Sequence, residues 1–229
     1  MRARLARVGL GALVLLATAG CTAEPSPSPR PACPTEPPTI VSAQATLEGA
    51  SLATVTVSGA VEGEFAFELY GHEAPLATAN FVNLARCGFY EGIWFHRILA
   101  GFVIQAGDPG TKGVEEPSAF VGQGGPGYRF EIEPPPEGLD YVPYSVSMAN
   151  AAPSVPDSNG SQFFVALTDL SGGLPREYTI FGQVVSGTDV VDAIAQLPVN
   201  DPQTGLPLEL AIIDTIIISG DEGAAPSGE

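Results

Sequence analysis

The chain has 229 residues, 45% of them hydrophobic, which suffices for one buried domain of ordinary size with non-globular flanks. Its 26 acidic residues against 9 basic give a formal charge of −17. That balance excludes nucleic acid as a partner and any membrane contact made through a basic patch.

At the N-terminus, Arg2, Arg4 and Arg7 precede an uncharged apolar run over residues 8–20, too short to cross a hydrocarbon core as a helix. Residues 1–20 are therefore expected to be a secretory signal. The run ends in Thr18-Ala19-Gly20-Cys21, which resembles the lipobox of bacterial lipoproteins, with Thr18 where Leu is usual. Lipidation of Cys21 is the expectation; the alternative is ordinary cleavage near Ala19, which leaves Cys21 a plain thiol. Cleavage before Cys21 removes three arginines and takes the formal charge from −17 to −20. Such a chain would sit at the outer face of the cell membrane through its lipid anchor alone. Residues 21–50 read as the lipidated cysteine and a Pro-rich linker, and the tract 22–38 in extended polyproline geometry, at ~3.1 Å per residue, reaches about 50 Å.

The domain is assigned to residues 51–220. Short β-rich runs alternate with Gly/Pro/Asn turns, and strands are expected at 53–58, 64–69, 94–99, 103–106, 145–149, 163–167, 180–184 and 211–218. Phe65, Phe67 and Leu69 alternate with Glu64, Ala66 and Glu68, the period of a strand with one buried face. Two helices are expected. One follows Pro75, with Thr78 as its cap and Phe81, Leu84 and Ala85 on one face, and ends near Gly88; the other runs from Thr188 to Leu197 and stops at Pro198. A closed or nearly closed sheet would remove the exposed edges. Residues 221–229 are polar and small, the composition of a disordered tail.

Three blocks carry chemistry. The first is Gly92-Ile-Trp-Phe-His-Arg-Ile-Leu-Ala-Gly-Phe-Val-Ile-Gln-Ala-Gly-Asp-Pro109; the second joins Ser147-Met-Ala-Asn150 to Asn159-Gly-Ser-Gln-Phe-Phe164; the third is Tyr178-Thr-Ile-Phe-Gly182. In order and content they resemble the cyclophilin-type peptidyl-prolyl cis-trans isomerases, over roughly residues 54 to 219. The resemblance implies a mainly β fold, an eight-stranded antiparallel barrel capped by two helices. It implies Arg97 as the catalytic residue, and His96, Phe102, Val103, Gln105, Ala149, Asn150, Phe164, Leu174 and Tyr178 as the groove for the prolyl residue and its neighbours. Three positions depart from the best-known eukaryotic pattern: Val103 replaces Met, Tyr178 replaces His, and Gly173 falls where a groove Trp is usual.

These residue types suit the reaction. Rotation about a peptide bond faces a barrier of ~18–20 kcal/mol, and X-Pro bonds populate both isomers but exchange slowly. No covalent bond breaks, so neither a nucleophile, a metal nor another cofactor is required. A guanidinium, always charged and donating in a planar fork, suits a prolyl nitrogen that regains its lone pair as the amide twists. The expected partners are proline-containing polypeptides, and the protein is expected to be a monomer. A proline-peptide binding module or chaperone with little turnover is the alternative.

Other patterns carry less. Gly122-Gln-Gly-Gly-Pro-Gly127 matches a dinucleotide fingerprint in spacing, but no helix pattern follows it, so a tight loop beside the peptide groove is expected. Asp157-Ser-Asn-Gly160 lacks the later ligands of a calcium loop and reads as a turn. With Cys21 lipidated, Cys33 and Cys87 are left to pair in an oxidising compartment.

Overall fold

The computed structural model describes residues 29–115, 121–150, 155 and 157–219, so the expected signal peptide, Cys21 and the expected tail at 221–229 lie outside the described residues. β1 (Leu52–Gly59) buries Ala53, Val55 and Val57 on one face, and β2 (Gly63–Leu69) buries Phe65 and Phe67 opposite them, with Val55 registered on Phe65. The remaining strands are β3 (Arg97–Leu99), β4 (Val103–Ala106), β5 (Phe130–Glu131), β6 (Ser145–Asn150), β7 (Asp157–Ala166), β8 (Ile180–Ser186) and β9 (Ala211–Ile218). The sheet runs β3-β4-β7-β6-β8-β2-β1-β9, antiparallel throughout, and the short β5 pairs only with β7.

The two ends of this path meet. Trp94 bridges Ile212, and while the Phe95 amide donates to the Ala211 oxygen (3.0 Å), the next amide, His96, donates to Gln105 (3.0 Å). Consecutive amides thus bond to opposite neighbours, and this segment is the closing seam. The expected strand at 94–99 is accordingly split between a bridge to β9 and the three residues of β3. Asp157-Ser-Asn-Gly160, expected to be a turn, is instead the start of β7, where Asn159 pairs with Phe130.

Helix α2 (Pro75–Arg86) closes one end of the barrel. Phe81 from this helix stacks among Phe67, Phe163, Phe181 and Tyr90 with ring centroids 5.1–5.6 Å apart. Thr78 is not its cap. The helix begins at Pro75, which has no amide to satisfy. The Leu76 and Ala77 amides donate to the carboxylate of Glu133, far along the chain, at 2.9 and 2.8 Å, and Thr78 is buried in the first turn. Burial raises the pKa of that carboxyl, while the two amide bonds oppose the shift. Helix α3 (Thr188–Ala195) buries Val190, Val191 and Ile194.

A further helix, α1 (Ile40–Leu47), was not expected. Thr39 and Ser42 form a reciprocal capping box, Ala43 is buried, and the Arg86 guanidinium donates to the Thr46 oxygen at 2.8 Å. A disulfide joins Cys33 to Cys87 at a Cα separation of 5.1 Å, and Arg30 pairs with Glu91. Residues 40–47, read as linker, are therefore part of an arm docked on α2. The arm is almost without apolar periodicity, which is why the sequence reading passed over it.

Two apolar clusters result. The larger fills the barrel; the smaller lies outside it and contains Val103, Tyr141, Phe164, Ala166, Leu170 and Ile180.

Candidate active site

The register of three strands assembles the site. Arg97 on β3 is paired with Gln105 on β4, which is paired with Phe164 on β7. Side chains at paired positions share a face, so the guanidinium, the amide and the ring emerge together on the outer surface of the barrel. Phe102 follows the tight turn whose Gly101 has φ 71°, and Val103 opens β4. Ala149 and Asn150 end β6, and Leu174 and Tyr178 come from the loop between β7 and β8.

These nine residues line one cavity of about 250 Å³. Its apolar side is Phe102, Val103, Phe164 and Leu174; the Tyr178 ring meets Phe164 edge-on at 5.7 Å. Its polar side is Arg97, Gln105 and Asn150. Arg97 Nη1 donates to Gln105 Oε1 (3.3 Å), Gln105 Nε2 to Gln162 Oε1 (2.9 Å), and Gln162 Nε2 to the oxygens of Gly122 and Gly124 (both 2.9 Å). Each amide is thereby oriented by the next, and the guanidinium keeps its remaining donors for the cavity. Burial lowers the Arg97 pKa from its ordinary value, against a smaller opposing effect of Tyr178, and a guanidinium so placed remains charged. Asn150 donates to the Glu177 oxygen at 3.0 Å, while its Oδ1 is buried without a partner.

His96, expected in the groove, does not line the cavity. Arg97 beside it faces the site and Phe95 enters the barrel core, whereas His96 is 4% exposed and packs beside Asp108 and Gly122. Burial pushes its pKa down to about 4, so it is neutral at neutral pH and adds no second cation beside Arg97.

A second cavity, about 730 Å³, adjoins the first and shares Gln105, Ala149 and Asn150 with it. Glycines 122, 124, 125 and 127 line it, so the Gly-rich loop does lie beside the groove. The loop is held by Asp108, whose carboxylate accepts from the Gly110 and Gly122 amides; a Cβ at Gly124 would fall 2.0 Å from Asp108 Oδ1. Gln162 and Asp108 were overlooked as site residues, although both stand inside the motif blocks. Among the described residues no cluster of three or more His, Cys, Asp or Glu could hold a metal ion.

The family model for cyclophilin type peptidyl-prolyl cis-trans isomerases matches residues 52–216. Peptidyl-prolyl cis-trans isomerase B of Streptomyces anulatus is 38% identical over 173 residues, 68% of this chain and 91% of its own length. The Helicobacter pylori isomerase is 43% identical over 138 residues, 59% of this chain and 76% of that protein. Among solved structures, a cyclophilin of Cryptosporidium parvum aligns with a TM-score of 0.64 at 31% identity, covering 75% of this chain and 99% of that one. The same protein was crystallised in the presence of the dipeptide Ala-Pro, and that structure aligns with a TM-score of 0.63. With strands in this order, an arginine and an oriented amide beside an apolar cavity, and these matches over most of its length, the chain belongs to the cyclophilin-type peptidyl-prolyl cis-trans isomerases and is an enzyme of that activity.

Proposed function

We propose that this isomerase acts on exported proteins at the outer face of the cell membrane, held there by a lipid on Cys21, with Arg97 as its catalytic residue. The observation that carries the catalytic part is the Arg97–Gln105–Gln162 chain beside an apolar cavity of about 250 Å³. In this reading the prolyl ring enters among Phe102, Val103, Phe164 and Leu174, with Ala149 and Tyr178 at its edges. The substrate backbone then lies along Gln105 and Asn150. As the amide twists, the prolyl nitrogen becomes pyramidal and basic, and the guanidinium donates to it. The Ala-Pro dipeptide used with the Cryptosporidium relative agrees with a prolyl ligand here.

Arg97 is one contributor among several. A charge-assisted hydrogen bond supplies about 1.5–3 kcal/mol, whereas a 10⁶-fold acceleration, the low end for enzymes, needs roughly 8 kcal/mol. The remainder falls to the fixed apolar cavity, which holds the ring while the preceding carbonyl turns, and to oriented dipoles that need no rearrangement as the amide twists.

Location rests on the basic, apolar and small-residue order of residues 1–21 and on an acidic domain that would not seek an anionic lipid surface. The Cys33–Cys87 disulfide is the bond expected of an oxidising compartment. Expression with the native N-terminus, fractionation, and assay of each fraction on a Pro-containing peptide test both halves. Isomerase activity should sediment with membranes and be released by detergent. Activity confined to the cytosol would refute the location, and a membrane-bound protein without turnover would refute the catalytic role.

A further inference from the structure

The loop between β7 and β8 brings Leu174 and Tyr178 into the prolyl cavity, and its turn at Gly172 and Gly173, between the buried Leu170 and the partly buried Leu174, is unpacked. A Cβ at Gly172 or Gly173 would meet no atom within 4 Å. The second half is held through Arg176. Its Nη2 lies within hydrogen-bond distance of the main-chain oxygens of Pro135 (3.1 Å), Pro136 (2.7 Å) and Leu139 (2.9 Å), and its Nη1 contacts Asp140.

Those three oxygens converge because of the sequence that carries them. Residues 134–136 are consecutive prolines, which fix φ and offer no competing amide. The next turn closes through the Leu139 amide onto the Pro136 oxygen at 3.1 Å, with Gly138 in the left-handed region at φ 88°. The result is a rigid main-chain cradle for a planar cation, and the molecule fills it with its own guanidinium. An exposed ion pair with Asp140 alone would hold little. A rigid fork with Nη2 among preset main-chain oxygens and Nη1 on Asp140 holds more.

The same turn reaches the groove by a second route. Tyr141 places its hydroxyl 3.0 Å from the Pro175 oxygen and 2.9 Å from that of Tyr178, and accepts from the Tyr178 amide at 3.2 Å. Leu139 and Tyr141 also pack in the apolar cluster that includes Leu174, Tyr178 and Phe164.

We propose that Arg176 is a positioning residue for peptide binding. By clasping the turn at residues 135–139 to the loop at 174–178, it fixes the wall of the prolyl cavity that Gly172 and Gly173 leave unbraced. It touches no substrate, so its loss should appear in KM and leave kcat nearly untouched.

The test is steady-state isomerase kinetics on the full-length protein, with melting temperature recorded in parallel. Arg176→Ala should raise KM about tenfold while kcat changes by less than about twofold. Free guanidinium ion at low millimolar concentration should bring the KM of this variant back towards the parent value and leave the parent unaffected, because the emptied cradle can accept it. Arg176→Lys, which keeps the charge but not the planar fork, should fall between the two, and supplies the same reading if the alanine variant does not fold. An unchanged KM in a folded variant would overturn the proposal. So would a joint loss of kcat and KM that follows the melting temperature and does not respond to guanidinium, since Arg176 would then support only the fold.

Discussion

Removing the Arg97 guanidinium takes away the donor while leaving the apolar cavity intact, because Gln105 remains held by Gln162. Arg97→Ala should therefore lower kcat/KM by tens-fold or more, through loss of about 2–3 kcal/mol of transition-state stabilisation, with no change in circular dichroism. His96 bears on stability. Its folded pKa of about 4 lies below the ordinary 6.5, so its contribution is complete above pH 6.5 and is lost as pH falls from 6.5 towards 4, by about 3 kcal/mol. Glu133, whose carboxyl pKa burial raises, runs in the opposite sense, so the diagnostic comparison is with His96→Gln. Urea midpoints should fall more steeply between pH 6.5 and 4.5 in the parent than in that variant. Gly173 bears on inhibition: the resemblance implies cyclosporin binding in the prolyl groove, and the absent indole removes apolar contact worth several kcal/mol, at about 25 cal/mol per Å² over ~150–250 Å². Affinity for cyclosporin should be at least about a hundredfold weaker than with a groove Trp. Gly173→Trp should recover part of it, since a Cβ there meets no atom within 4 Å. Nanomolar inhibition of the parent would contradict this.

At the scale of elements, the arm and its disulfide form a separable unit. The bond spans a sequence separation of 54, and on the chain-entropy view closing such a loop is worth about 4 kcal/mol. Cys33→Ser should lower stability by ~2–4 kcal/mol, and amide exchange in α1 should speed up far more than in β1 or β2. Equal protection of α1 with and without the bond would mean that helix packing alone holds the arm. The contrast with the barrel explains what could be read from sequence. Strands such as β1 announce themselves because one face is buried and alternates, whereas α1 buries a single alanine and depends on a capping box and a distant partner. The cap of α2 was misread for a related reason: Glu133 arrives from elsewhere in the chain, and no local pattern encodes it. Nine of the ten groove and catalytic positions come together, those of the first two motif blocks through strand register and Leu174 and Tyr178 through the loop between β7 and β8. His96 fails because it is buried beside Asp108 and Gly122, next to the groove residue Arg97 but not in the groove, and Gln162 was overlooked because its part is to orient another side chain. The Arg176 cradle lies outside all motif blocks, built from prolines that read only as a turn.

For the whole molecule, attachment and folding are separate problems. If acyl chains on Cys21 hold the protein, Cys21→Ala should move it from the membrane fraction to the medium or periplasm, since the domain carries strong negative charge and, among the described residues, no helix long and apolar enough to cross a bilayer. Retention of the variant on membranes would point to an uncleaved signal or a protein receptor, and the mass of the mature N-terminus would separate these. The closing seam has a consequence in time. β9 pairs with β1 and with the segment before β3, so the last of the described strands completes the neighbourhood of the first. A chain that emerges from its N-terminus exposes the hydrogen-bonding edge of β1 until Ile218 is free, and such non-local closure is slow. The folding catalyst is thus, during its own synthesis, a late-closing and aggregation-exposed client of whatever chaperones meet it first.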